Sequence, residues 1–331
     1  MSRIKCCLCD GILIECHKIY NFTNCLVPSD KCQQENELTD LIFGMCDVCG
    51  SVQLMTLIDP VKMYAENHNN TFFSNTWITH HQLFHEFITS EIKISNVIEV
   101  GGCSLQLYKL FDKDINYKIL DFSTPNNPNV EFIQGNCETY DFDKDTPVIL
   151  SHVFEHLYNP RVFVENCKSN DIFISVPQME DSKVIEVHIE HTFYMEPCDL
   201  IRLFALNGYN YKMKSYLNHS YFFHFFKSDS TPEIPIIDKN RGQKVLESIK
   251  TREEIYSKIN ITENSYICPA GVYGYTLYHF LGKPKIKGFM DNDPNKIDKR
   301  MIGTNVKIFK FSQNDDIVFV PTLYTSEIKS G

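Results

Sequence analysis

The spacing of apolar and polar positions divides the chain into three parts. Residues 1–60 alternate short β-like apolar runs with pairs of cysteines, whereas later residues alternate strand and helix patterns. Within residues 76–88, apolar residues recur at spacings of three and four residues, which predicts a helix. Five apolar runs predict strands at residues 96–100, 117–121, 130–133, 147–151 and 171–177. Strands that alternate with helices predict a parallel, doubly wound α/β sheet.

A second, smaller α/β pattern follows the first. Residues 227–240 are polar and contain two prolines, which predicts a linker, and a charged helix is predicted at 241–260. Further strands are predicted near 265–268, 287–291 and 316–320. We therefore expect a small module at 1–60, a larger α/β domain at 61–228 and a Rossmann-like α/β domain at 241–331. Because the chain ends soon after a strand, we expect the native chain to continue.

Composition narrows the classes of partner. The 331 residues are 43% hydrophobic and 22% charged, which is typical of folded proteins. A formal charge of −10 repels polyphosphate, so we expect no nucleic-acid partner. No apolar run is long enough to predict a membrane span, and the N-terminus lacks a signal-peptide core. With thirteen cysteines and no such signal, reduced thiols in the cytosol are expected.

Four cysteines have the spacing of a metal site. Cys6 and Cys9 are separated by two residues, as are Cys46 and Cys49. Two such pairs complete a tetrahedral, all-thiolate zinc site, which has no open position and is therefore structural. The alternative is that these are buried free thiols.

A glycine turn after the first predicted strand of the larger domain indicates a nucleoside cofactor. Glu99, Gly101, Gly102 and Ser104 lie where a following helix would offer free N–H groups, and Asp121 ends the next strand, where a carboxylate accepts hydrogen bonds from ribose hydroxyls. NAD and S-adenosylmethionine both fit this pattern. An acidic residue that opens the turn can bind the amino end of a methionine moiety, which favours S-adenosylmethionine. The predicted cofactor site comprises Glu99, Gly101, Gly102, Ser104, Asp121, Phe122, Asn136, Ser151 and His152.

Two polar segments lie at the carboxyl ends of later strands. Residues 151–156 read Ser-His-Val-Phe-Glu-His and resemble the segment after the fourth strand of class I S-adenosylmethionine methyltransferases. Residues 186–194 contain four ionisable groups of the general acid–base type within six positions. Each segment has an alternative without a catalytic role. The histidines of the first would cap a helix, and the second would be a polar loop with a buried core histidine. The histidines His80, His81 and His85 are interpreted as a packed helix face, with metal binding as the alternative.

Four motifs in order resemble the sugar C-methyltransferase family. They are the second cysteine pair with its strand (residues 46–54), the Glu-His-x-x-Tyr segment (190–194), the glycine turn of the third domain (270–277) and the following strand end (291–296). The resemblance implies a zinc module, a class I methyltransferase domain and a C-terminal Rossmann-like domain. Its implied substrate is a nucleotide-linked 4-keto-6-deoxysugar.

The resemblance also implies residue roles. His191 would be the base that forms an enolate from the sugar, Glu190 would orient it, and Tyr194 would be a nearby hydrogen-bond donor. Tyr64, His68 and His188 would contact the substrate, although His188 stands where the family usually has tyrosine. Sugar O-methylation and a non-catalytic binding scaffold remain alternatives, and an NAD oxidoreductase is a distant one.

Overall fold

A computed structural model describes residues 2–24, 38–64, 75–123, 130–178, 186–216, 219–301, 303–313 and 316–320. His68, which the sequence assigned to substrate binding, lies outside these ranges. The strands are β1 Leu13–Thr23, β2 Leu38–Cys46, β3 Val52–Leu54, β4 Asn96–Val100, β5 Asn116–Asp121, β6 Glu131–Gln134, β7 Val148–Ser151, β8 Asp171–Pro177, β9 Phe193–Tyr194, β10 Tyr209–Tyr216, β11 Ser220–Lys227, β12 Tyr266–Cys268, β13 Gly288–Asp291, β14 Ile308–Lys310 and β15 Ile317–Phe319. The helices are α1 Pro60–Tyr64, α2 Asn75–Glu91, α3 Pro160–Asn166, α4 Pro197–Leu206, α5 Arg241–Ser257 and α6 Val272–Phe280, with 3₁₀ turns at Tyr108–Leu110 and Phe154–His156.

The central sheet has seven strands in the order β10-β11-β8-β7-β4-β5-β6. The five strands from β8 to β6 are parallel, and β11 runs antiparallel to β8 and to β10. The predicted parallel sheet is therefore extended by an antiparallel hairpin, which gives a mixed sheet. The strand order reverses between β4 and β7, which is where open α/β sheets form their ligand crevice.

Apolar residues alternate between the two faces of this sheet. Val97, Ile119 and Ile149 pack with Phe84 and Ile88 of α2 on one face. Ile98, Leu120, Val148, Ile172 and Ile174 pack against α3 and α4 on the other. Each fully buried aliphatic side chain contributes about 1.5–3 kcal/mol, so the alternation fixes which strand residues face each helix layer.

The first and last parts of the chain share one core. In a second sheet, ordered β1-β2-β3-β9, strand β9 comes from the segment after β8. Phe22 and Phe43 pack in the same apolar cluster as Tyr275 and Leu277 of α6. The C-terminal strands form a parallel sheet, β14-β13-β12-β15. The N-terminal module is thus held both by the larger domain and by the C-terminal domain.

One predicted element is absent. The sequence predicted a helix directly after the glycine turn, but residues 101–107 form turns and only Tyr108–Leu110 is helical, as a 3₁₀ turn. Leu105 has a φ of +60°, outside the right-handed helical region. The apolar side chains of this segment are instead buried beside α2, because Leu107 and Phe111 are only 1% and 7% exposed.

Among the described residues, none of the helices combines the length and the apolar character that crossing a bilayer requires.

Candidate active site

A cavity of about 550 Å³ opens at the carboxyl ends of the parallel strands. Most of the predicted cofactor and catalytic residues lie in its wall. Its lining contains six carboxyl groups, from Glu99, Asp121, Glu138, Glu155, Glu186 and Glu190, and five imidazoles, from His81, His152, His156, His188 and His191. The described residues that line it include no lysine or arginine. The cavity is therefore suited to a cationic ligand.

Glu99 ends β4 and folds back over the glycine turn. Its Oε2 accepts a 2.7 Å hydrogen bond from Tyr117, and the residue is only 4% exposed. A Cβ on Gly102 would lie 2.4 Å from this carboxylate, so only glycine fits beneath it. Gly101 has a φ of +73°, which favours glycine there. Burial raises the pKa of Glu99 to about 7.

Asp121 and its neighbours form the adjacent wall. Asp121 Oδ1 accepts a 3.1 Å hydrogen bond from the backbone of Ser123, and its carboxylate faces the cavity. The ring of Phe122 stacks on Tyr64, with centroids 5.8 Å apart and planes 6° apart. Asn136 lines the same wall and accepts a hydrogen bond from the Glu138 backbone. Carboxylate, ring and amide are thus brought together from the ends of two strands, β5 and β6.

Another part of the wall is a cluster of imidazoles and carboxyls from residues 186–191. His188 and His191 have ring centroids 4.0 Å apart, and the Nε2 atom of each lies 3.9 Å from Glu186 Oε2. Burial, and then the neighbouring His188, hold the pKa of His191 well below its ordinary value. Burial raises the pKa of Glu186 to about 7. His191 is therefore a neutral imidazole beside a carboxyl group.

Glu190 makes close approaches to two histidines, and its predicted role in orienting His191 stays a prediction. Its Oε2 lies 3.8 Å from His156 Nδ1, and its backbone N–H approaches His188 Nδ1 at 3.4 Å. The carboxylate of Glu186, which the sequence did not assign, lies 3.9 Å from Nε2 of His191. His156 also shares a 3.0 Å hydrogen bond with the Tyr64 hydroxyl, which connects this cluster to the Phe122 wall.

Two predicted residues lie behind the cavity wall. Gly102 supports Glu99, as described above. Tyr194 is 3% exposed and donates a 3.0 Å hydrogen bond to the backbone oxygen of Glu186. Its strand pairs with β3, where Val52 faces Tyr194. This hydroxyl therefore holds the backbone of the 186–191 segment.

The four predicted cysteines lie together at the N-terminus. The sulfurs of Cys6 and Cys49 are 3.6 Å apart and those of Cys9 and Cys46 are 3.5 Å apart. Four thiolates on a tetrahedral zinc at about 2.3 Å would have sulfurs about 3.8 Å apart. Burial raises the pKa of Cys9 to about 12, so a dication is what would keep the thiolate form there. The arrangement fits a closed zinc site.

The cysteine cluster is connected to the cavity wall through Gln53. Its side-chain amide donates to Cys6 Sγ at 2.9 Å, and its backbone pairs with Phe193 in β9. Arg3 adds hydrogen bonds of 2.7 Å to the Thr192 backbone oxygen and 2.6 Å to that of Tyr158. The N-terminal module therefore fixes the strand that directly follows His191.

Several cavity residues were not assigned from the sequence. Glu155 and His156 lie in the segment after β7, and Glu186 in the later one, so their segments were recognised but their roles were not. Tyr273 reaches the cavity from the C-terminal domain, and His219 lies close to His152 from the β10–β11 connection. No local pattern marks these last two, because only tertiary packing brings them near the cavity.

Comparisons with known proteins were made with the sequence and with the fold. No protein-family model matches the sequence, and no curated protein matches it. The fold is similar to the complex between the Haloferax volcanii Trm112 methyltransferase activator and a putative methyltransferase, at 14% identity, 54% coverage of this chain, 100% of that chain and a TM-score of 0.41. It is also similar to Burkholderia thailandensis 1,6-didemethyltoxoflavin-N1-methyltransferase, at 11% identity, 57% and 96% coverage and a TM-score of 0.40. The glycopeptide N-methyltransferase MtfA gives 13% identity, 44% and 95% coverage and a TM-score of 0.37. Similarity at this level does not identify an activity.

Proposed function

We propose that this chain is an S-adenosylmethionine-dependent methyltransferase. The observation that carries the proposal is that Glu99, Asp121 and His191 line one cavity. Glu99 would bind the ammonium group of the cofactor and Asp121 its ribose hydroxyls. A lining with six carboxyl groups and no lysine or arginine among the described residues suits a sulfonium and opposes the pyrophosphate of NAD.

The proposed reaction is C-methylation of a nucleotide-linked 4-keto-6-deoxysugar. His191 removes the proton from the carbon beside the ketone, and the resulting enolate carbon forms a bond to the methyl group. The methyl–sulfur bond breaks, which leaves S-adenosylhomocysteine, and the proton stays on His191. A positioned base typically contributes about 10²–10⁴-fold to the rate. Because the described lining residues include no lysine or arginine, the diphosphate would lie outside the cavity.

The surroundings of His191 support its role as a base. Burial keeps the imidazole neutral, which is the form that accepts a proton. The Glu186 carboxyl 3.9 Å from Nε2 would stabilise the imidazolium that forms. Glu190 and Tyr194 would act as positioning residues, since Glu190 approaches His156 and Tyr194 holds the Glu186 backbone. Tyr64 and His188, which both line the cavity, would contact the sugar.

The proposal includes a structural zinc ion bound by Cys6, Cys9, Cys46 and Cys49. The ion would hold the N-terminal module rigid, and Gln53 would transmit that rigidity to β9. Metal analysis should find that replacing Cys46 with serine lowers the zinc content by one ion per chain relative to the wild type. An unchanged zinc content in this variant would contradict the assignment.

An O-methyltransferase is the second candidate, because a neutral imidazole beside a carboxyl group can equally deprotonate a sugar hydroxyl. A non-catalytic nucleotide-sugar scaffold would use the same cavity without transfer. Binding of S-adenosylmethionine measured by calorimetry separates the enzymes from the scaffold, since the scaffold alternative predicts no affinity. NAD serves as the comparison ligand and should not bind.

Solvent exchange separates the two enzymes. The 4-keto sugar is incubated with the protein in deuterated water, and label at the carbon beside the ketone is measured by NMR. We expect exchange in the wild-type protein, its loss in H191Q and its retention in H85Q, which changes a histidine of α2 outside the cavity lining. Methyl transfer to oxygen without carbon exchange would favour O-methylation.

A further inference from the structure

Three histidines from distant parts of the chain converge beside the cavity. His80 comes from α2, His152 directly follows β7, and His219 precedes β11. Their ring centroids are separated by 5.0 Å for His80–His152, 5.1 Å for His80–His219 and 5.6 Å for His152–His219. One nitrogen from each ring lies within 4.8 Å of the other two.

These separations are close to those of a metal site. Zinc binds imidazole nitrogen at about 2.0–2.1 Å with tetrahedral geometry, so three bound rings have centroids roughly 5 Å apart. The rings of His188 and His191, in contrast, are 4.0 Å apart, closer than such a site allows. The triad of His80, His152 and His219 therefore has the ring separations that a bound ion requires.

The surrounding groups orient the rings. His152 Nδ1 lies 3.3 Å from Glu155 Oε1, which is the carboxylate–histidine arrangement that supports metal ligands. His152 Nε2 lies 2.8 Å from Ser220 Oγ, and His219 Nδ1 approaches the same hydroxyl. His80 is fully buried, and within the described part of the chain its Nδ1 has no hydrogen-bond partner. His152 and His219 thus direct a nitrogen to the same hydroxyl, Ser220 Oγ, which a bound ion would displace, and His80 has a nitrogen to offer.

We infer that His80, His152 and His219 form a second metal site, for a divalent transition metal ion such as zinc. With three protein ligands it keeps a fourth position, as catalytic zinc sites do, unlike the closed cysteine site. His152, Ser151 and Trp77 line the cavity, so the fourth position opens towards it. A water or an oxygen atom of the acceptor would bind there. The site stands independently of the proposed methyl transfer.

Trp77 provides the assay. It is the only tryptophan of the chain, and its ring centroid lies 5.1 Å from His80, 4.7 Å from His152 and 5.0 Å from His219. Protein first given one equivalent of zinc, to fill the cysteine site, is titrated with Co²⁺. We expect one further equivalent to bind, Trp77 fluorescence to be quenched, and visible d–d bands to appear without thiolate charge-transfer bands.

Variants assign the signal to the triad. H219Q and H152N should each weaken Co²⁺ binding by more than about 100-fold, since the loss of a ligand exceeds the 10–100-fold cost of losing an outer-shell partner. H85Q, in the same helix as His80, should bind like the wild type. Thermal unfolding checks that each variant is folded. Two ligand variants are used so that the test still holds if one of them does not fold.

Three outcomes would overturn the inference. The first is that no Co²⁺ binds beyond the zinc already present. The second is that Co²⁺ binds but leaves Trp77 fluorescence unchanged. The third is that Co²⁺ binding is lost in H188Q but kept in H219Q. The last would place the ion with Glu186, His188 and His191. Calorimetry with S-adenosylmethionine tests the proposed function separately, so the two can fail independently.

Discussion

The two α/β domains place an aspartate at the same point, the end of their second strand, and surround it differently. Asp121 ends β5 and faces the cavity. Asp291 ends β13, but Lys296 Nζ lies 2.8 Å from its Oδ2, and its Oδ1 accepts a hydrogen bond from the Asp293 backbone. The first carboxylate is available to a ligand and the second is neutralised by its own loop.

The glycine turns of the two domains differ in the same way. The first turn has a positive φ at Gly101 and is followed by turns and a cavity. The second leads from Gly271 directly into α6, where a Cβ on Gly274 would lie 2.1 Å from the Pro269 backbone oxygen. There the glycine serves close packing of helix and strand. A strand, a glycine turn and an acidic strand end are therefore insufficient to define a cofactor site.

The largest expected effect is on the rate of methyl transfer, and it is measured by replacing one histidine in each domain. Burial lowers the pKa of both His191 and His279, the latter to about 4, but only His191 lines the cavity. H191Q should lower kcat for methyl transfer by about 10²–10⁴-fold, because the base is lost. H279Q should stay within about threefold of the wild type. Equal losses in the two variants would show that both act through stability.

The next effect compares the two aspartates directly. D121N should weaken S-adenosylmethionine binding by roughly 10–100-fold, since hydrogen bonds to a charged group contribute about 1.5–3 kcal/mol. D291N should leave the affinity unchanged within about twofold. Calorimetry on both variants measures the difference. A cofactor site in the C-terminal domain would reverse the order of the two.

A smaller effect is a pH dependence that only the first domain should show. Burial raises the pKa of Glu99 to about 7, so the folded protein holds a proton there that the unfolded chain releases at lower pH. The contribution of Glu99 to the free energy of unfolding therefore falls as the pH rises from about 4.5 to 7. Because the cofactor's ammonium group prefers the ionised carboxylate, binding must release this proton below pH 7.

The affinity for S-adenosylmethionine should accordingly fall by up to about tenfold for each pH unit below 7 and level off above it. E99Q should remove this pH dependence of the affinity. The variant keeps Glu155 and Glu186, whose pKa values burial also raises to about 7, so the loss would be assigned to Glu99. Calorimetry between pH 5.5 and 8 measures it, with those limits chosen to be about one unit or more from 7. An unchanged slope in E99Q would assign the proton to another group.

The smallest effect concerns stability. The Asp291–Lys296 pair is mostly shielded, with side chains 12% and 20% exposed, so D291N should lower the free energy of unfolding by about 1 kcal/mol. D121N should change it less, because no ion pair is lost. Urea unfolding of both variants provides the values. A larger loss in D121N would mean that Asp121 supports the fold and not a ligand.

Much of the architecture could be predicted from local patterns. The five parallel strands of the larger domain, the strands β12, β13 and β15 of the C-terminal domain and the helices α2 and α5 occur where periodicity placed them, whereas β14 was not predicted. The cysteine cluster was also predictable, because each pair needs only a two-residue spacing and one close approach. The helix expected after Gly102 was wrong, since Leu105 adopts a left-handed conformation and apolar packing directs that segment.

What the sequence alone determined is the chemistry available at each strand end: carboxylates at 99 and 121, and imidazoles after β7 and β8. Tertiary structure decided which of these groups meet. It placed Glu186 beside His191, turned Glu190 towards His156, brought His80 and His219 to His152, and paired Asp291 with Lys296. The physical reason is that contacts between side chains far apart in sequence depend on the packing of whole elements, which no short pattern encodes.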